Sequence, residues 1–141
     1  MAAGFVAGVL DLAYVFVFHG LRGVSATSIL QSIASGLLGV SAFKGGFRTA
    51  LLGVALHFII ALGAALTYWA ASRRLTFLRS NAIVCGLLYG FAIYCFMEWV
   101  VLPLSAAPQF KTTSLTIASN LAAHACLIGL PIALFARRVS D

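Results

Sequence analysis

Four ionisable side chains stand alone in long hydrocarbon runs: Asp11, His57, Glu98 and His124. Each falls in a different run. Asp11 interrupts "AAGFVAGVLDLAYVFVFH", His57 lies in "GVALHFIIALGAALTYWAASRR", Glu98 follows "GLLYGFAIYCFM", and His124 opens "HACLIGLPIALFARR". A charged side chain at the centre of a bilayer costs about 2.5–3.5 kcal/mol on insertion scales. Two unpaired acids would therefore burden so small a chain, and two histidines offer relief. Either a carboxylate holds an imidazolium, or the acids stay protonated. Acid–histidine sets of this kind are the usual material of intramembrane proton relays.

The same residue types suit two other uses. His57 and His124 on separate helices could hold a haem from both faces, or, with the carboxylates, a transition metal. If a metal is bound, these two histidines are the expected ligands; its identity and any cofactor stay open. A histidine at a helix interface also serves as a plain interhelical hydrogen bond, which makes a structural role the third use. Catalytic signatures are missing. There is no Ser-His-Asp arrangement, HExxH, Gly-rich phosphate loop, CxxCH or paired Glu-x-x-His. The chain is not expected to be an enzyme.

The elements that must position these residues follow from composition. Of 141 residues, 62% are hydrophobic and 9% charged, and the mean hydropathy is +1.07. A soluble domain carries about a quarter charged residues, so this is an integral membrane domain in one piece. The net charge of +6 comes from basic residues at the ends of apolar runs. That arrangement fits lipid headgroups and topology signals, and excludes a nucleic-acid partner. Cys85, Cys95 and Cys126 lie inside apolar runs without metal-type spacing and read as small packing residues.

The fold class expected is all-α: a bundle of four transmembrane helices. The spans cover about 2–19, 47–71, 81–102 (stopped by Pro103) and 114–136, each long enough for a hydrocarbon core of about 30 Å. The first run has no basic residue before it and carries Asp11 in its centre, so it is expected to stay as a helix and not be removed as a signal peptide. Between the first two spans, Ile29, Ile33 and Leu37 recur at helical spacing among Gln31, Ser32 and Ser35. This predicts a short interfacial amphipathic helix over about 26–38. Gly45 and Gly46 then turn the chain into the second span. Arg73, Arg74, Arg79, Arg137 and Arg138 fall on one side, and Arg22, Lys44, Arg48 and Lys111 on the other. The arginine pairs at span ends place both termini in the cytoplasm.

Small residues let membrane helices approach. Gly4 and Gly8 share a stripe of the first helix, Gly86 and Gly90 of the third, and Gly53 lies on the His57 stripe of the second. The polar residues sit on those same stripes: Asp11 after Gly8, Tyr94 and Glu98 after Gly90, Asn120 four residues before His124. At 1.5 Å per residue the four ionisable groups fall within about 8 Å of one another in depth. Tyr14, Tyr94 and Asn120 are the expected supporting partners. His19 and Arg22 read as interfacial, and Tyr68 and Trp69 as part of an aromatic belt.

The segments "GFVAGVLD", "GVALHFIIALGAALTYWAASRR", "GLLYGFAIYCFMEWVVLPLSA" and "HACLIGLPIALFARR" resemble small bacterial inner-membrane proteins of the YagU-like kind. That family has four spans and no established chemistry. The likeness covers a glycine-rich first span, a histidine in the second, a glycine-rich third span ending near "LP", and a histidine before a closing basic pair. It implies a multi-pass protein of the bacterial inner membrane, and it touches His57 and His124 among the ionisable residues. Asp11 and Glu98 rest on the physical argument alone. The leading expectation is a small protein for proton-linked transport of an ion or small molecule. A structural or stress-related membrane component is the alternative, then haem or metal binding. A short path through one four-span chain points to a homodimer within the lipid bilayer.

Overall fold

The computed structural model describes residues 1–109 and 112–138, and every regular element among them is helical. The first helix, α1, is Ala2–Gly20. The second, α2, is Ala26–Leu38, capped by the Ser25 hydroxyl, which accepts from the Ser28 N–H at 3.1 Å. A tight turn of 3-10 helix, Gly39–Lys44, continues it. The long helix α3 is Gly46–Arg74, and a four-residue helix, α4, is Phe77–Ser80. The last two are α5, Ala82–Leu104, and α6, Ser114–Arg138. Lys111, one of the residues used for topology, lies outside the described residues.

Among the described residues five segments are long and apolar enough to cross a membrane, where four were expected. The additional one is Ala26–Lys44, the segment read as interfacial. Its helix has the expected bounds. The 3-10 turn behind it adds six residues, at about 2.0 Å each, and carries the segment past the length threshold.

The third span does not stop at Pro103. Both α5 and α6 contain a π-helical turn, Met97–Val101 and His124–Gly129. The Leu102 N–H reaches back to the Met97 carbonyl, and the Leu130 N–H to that of Ala125. A proline stands two residues beyond each turn: Pro103 and Pro131. Proline lacks an N–H, and in an α-helix its ring would strike the carbonyl four residues earlier. Those carbonyls, of Trp99 and Leu127, lie inside the widened turns, so each helix continues through its proline.

Successive long helices run in alternating directions. Gly4 of α1 lies against Ala61, Leu62 and Ala65 of α3, while Gly8 lies against Phe58 and Ala61. These two helices are therefore antiparallel. Gly86 of α5 faces Gly129, Leu130 and Ala133 of α6, and Gly90 faces His124 and Ala125, again antiparallel. Met1, Ala2 and Ala3 gather with Trp69 and Phe135 at one end. Val15, His19, Arg22 and Thr116 gather at the other, together with Val24, Ser28 and Phe43. The segment Ala26–Lys44 thus begins and ends at the same end of the bundle. Its middle is held there too, because the Gly36 carbonyl accepts from the Ala106 N–H at 3.0 Å.

Gln31 locks α2 to α3, donating from Nε2 to the Gly46 carbonyl at 3.1 Å and to Thr49 Oγ1 at 3.2 Å. Thr49 in turn donates to the Ala42 carbonyl at 2.7 Å. Gly53 is required at the crossing, since a Cβ there would collide with the Leu30 carbonyl. The core consists largely of small residues, including Ala7, Ala65, Ala82, Ala133 and Ala136, around Tyr68 and Ile132. Large apolar side chains such as Phe5, Val17, Ile59, Leu88 and Leu115 face outward. Small residues inside and hydrocarbon outside is the pattern of a membrane-embedded bundle.

Candidate functional site

Asp11 is the most deeply buried ionisable acid or base among the described residues, at 6% exposed, aside from the tyrosines. It sits on α1 one turn beyond Gly8, whose missing side chain allows α3 to approach. Its Oδ1 is buried without a hydrogen-bond partner. Asp11, His57 of α3 and His124 of α6 line one cavity of about 130 Å³. Gly8, Ile60, Ala61, Ile93, Met97 and Ile128 complete its walls, with Ile33 of α2. That volume holds a few waters, at roughly 30 Å³ each in the liquid.

The two histidines are fixed by backbone carbonyls. His57 Nε2 lies 2.9 Å from the Gly8 carbonyl, and His124 Nδ1 lies 2.9 Å from that of Asn120. A carbonyl only accepts, so each of these nitrogens carries its proton. In the neutral imidazole this leaves His57 Nδ1 and His124 Nε2 as bare acceptors. Neither histidine forms an ion pair with Asp11, whose carboxyl is thus flanked by two imidazoles but bonded to neither.

The supporting residues fall around this centre. Tyr14, one turn along α1 from Asp11, donates to Asn120 Oδ1 at 3.2 Å. Tyr94 meets the His124 ring edge to face, with centroids 5.4 Å apart. Glu98 is not part of the cavity. It is half-buried, and among the described residues it makes no hydrogen bond or ion pair. The wide turn of α5 begins one residue before it, and there Met97, not Glu98, reaches the cavity wall. The layer of four expected groups is a layer of three.

The set offers a metal or a haem few ligands and little room. Among the described residues no three His, Cys, Asp or Glu side chains come together as a metal site. Each histidine donates one N–H to a carbonyl, which leaves its other nitrogen as an acceptor. The cavity of about 130 Å³ is also well below the roughly 300–1,000 Å³ of common small-molecule sites. Cys85, Cys95 and Cys126 are free and lie outside its walls.

The glycines flank the site. A Cβ at Gly4 would stand 2.9 Å from Leu62 Cα, and one at Gly8 would stand 2.9 Å from the Phe58 ring. At Gly90 it would collide with the His124 carbonyl. Sequence reasoning missed Gly129, which packs backbone to backbone against Gly86 and Gly90. It also missed Ile33 as a cavity wall and both π turns. The prolines two residues beyond those turns were the available signal. The chain matches no protein-family model, no curated protein and no solved structure.

Proposed function

We propose that this is a proton-linked transport protein of four spans, with Asp11 as the group that takes up and releases the proton. The observation that carries the reading is a buried carboxyl oxygen without a partner, at a cavity shared with His57 and His124. A purely structural acid would be expected to have its hydrogen bonds satisfied, because an unsatisfied polar group costs most where water is absent. The segment Ala26–Lys44 is re-entrant on this reading and not a fifth span. Its two ends share one end of the bundle, and α1 and α3 would be parallel if α2 crossed between them. Both termini then lie in the cytoplasm by the arginine clusters, and the YagU-like resemblance points to a bacterial inner membrane.

A structural component is the second reading. It is favoured by the number of polar side chains that tie helix to helix: His57 to the Gly8 carbonyl, Tyr14 to Asn120, and Tyr89 to the Ala64 carbonyl at 2.8 Å. Reconstituted vesicles separate the two. With an inside-negative potential set by potassium efflux and a pH dye inside, the protein should support acidification that Asp11→Asn abolishes. Acidification equal to that of empty vesicles, or unchanged in Asp11→Asn, would leave the structural reading.

A further inference from the structure

The cavity around Asp11 has a neighbour. Between α3 and α5 runs an apolar groove of about 550 Å³, lined by Gly63, Thr67, Tyr89 and Phe96 among others. Four of its walls, Ile60, Ala64, Ile93 and Met97, are also walls of the Asp11 cavity. The groove and the polar cavity are therefore adjacent compartments divided by those side chains. Ile60 is 41% exposed and Phe96 is 55% exposed, so the groove lies on the outward, bilayer-facing surface. Its volume falls in the range of small-molecule sites.

The polar compartment has a definite chemistry. With His57 Nε2 and His124 Nδ1 committed to carbonyls, what remains for a ligand is acceptors: the Asp11 carboxylate and two bare imidazole nitrogens. It also holds room for one positive charge, since Asp11 is the sole acid in its walls. From this complementarity we infer that the paired compartments bind an amphipathic organic amine. Its ammonium group sits at Asp11 and its hydrocarbon body lies in the α3–α5 groove. An ammonium donates where the site only accepts, and it neutralises the unpaired carboxylate. A proton on Asp11 does the same, so cation and proton exclude each other: one proton leaves for each amine that enters. A phospholipid amine is a poorer fit, because no cationic side chain lines either compartment to meet its phosphate. The inference deepens the proton-linked reading and rests on it.

Titration calorimetry on the protein in phosphatidylcholine nanodiscs tests it, with octylamine as the probe. Octylamine should bind saturably and release about one proton, counted from buffers of different ionisation enthalpy. Octanol, which lacks the charge, and octyltrimethylammonium, which lacks the N–H donors, should each bind about tenfold more weakly or worse. Asp11→Asn should lose binding by about 30-fold or more, as expected when one member of a buried charge pair is truncated, and Asp11→Glu should recover part of it. Gly63→Leu fills the groove from a position where a side chain meets nothing within 4 Å, so it should fold and still weaken octylamine. Equal binding of octylamine and octanol, or unaltered binding in Asp11→Asn, would overturn the inference. So would loss of binding when phosphatidylethanolamine replaces phosphatidylcholine, which would assign the site to a lipid headgroup. The vesicle assay separates this failure from that of its premise. Asp11-dependent acidification without amine binding removes the amine alone, and absence of both removes the proton-linked reading as well.

Discussion

The bundle has two glycine seams, and they do different things. Between α5 and α6, glycine meets glycine: Gly129 lies against Gly86 and Gly90, and no side chain fits between the two backbones. Between α1 and α3 no glycine faces a glycine: Gly4 lies against the Ala61 and Leu62 backbone and the Ala65 methyl, while Gly8 faces the Phe58 ring and the Ala61 methyl. At Gly8 those side chains stand between the two backbones, and the Asp11 cavity lies directly beyond it. A seam closed on both sides is scaffold. A seam closed on one side leaves room for a polar group and whatever it binds. The same small-residue spacing in sequence therefore leads to two physical outcomes, decided by what the opposite helix carries.

The largest effect should come from breaking the closed seam. In Gly90→Leu the new side chain collides with the His124 carbonyl, and backbone atoms cannot yield as a flexible side chain would. Overpacking in well-packed cores costs about 1–3 kcal/mol and occasionally more. At a backbone-to-backbone contact we expect the upper end or loss of the fold, read as aggregation in size-exclusion chromatography. At the open seam, Asp11→Asn should abolish proton uptake while leaving unfolding in denaturing detergent within about 1 kcal/mol, because the carboxyl has no hydrogen-bonded partner to lose. A drop of about 3–5 kcal/mol, the cost of breaking a buried pair, would mean that Asp11 holds the helices together.

Much of this contrast was legible in the sequence. The long helices follow from the apolar runs, and α2 from Ile29, Ile33 and Leu37. Asp11, His57 and His124 meet because they share depth and stripe with small residues. What the sequence concealed has one physical origin. A π turn adds a residue to the helical repeat, which shifts every later side chain around the axis. Counting at 3.6 residues from Gly90 puts Glu98 on the inner face, whereas the turn at Met97–Val101 leaves it outside the cavity. Ala26–Lys44 is long and apolar enough to cross a membrane because a 3-10 turn lengthens α2, which the spacing of Ile29, Ile33 and Leu37 did not reveal.

Smaller substitutions sharpen the contrast. Tyr14→Phe removes one bond between α1 and α6, the 3.2 Å contact with Asn120, and keeps the ring that stacks on Phe18. Interhelical hydrogen bonds in membranes average about 0.6 kcal/mol, so the unfolding midpoint should shift by no more than that scale. A larger shift would place Tyr14 in the scaffold and not at the margin of the site.

The smallest effect belongs to Glu98. It has the same ionisable chemistry as Asp11, lies in a span of its own, and differs in having no share of the cavity. If burial at the cavity is what gives Asp11 its role, Glu98→Gln should leave acidification and octylamine binding as in the parent protein, with stability altered by less than about 0.5 kcal/mol. An effect of Glu98→Gln on flux comparable to that of Asp11→Asn would mean that the proton path runs along α5 past Met97, and that the open seam at Gly8 is only one end of it.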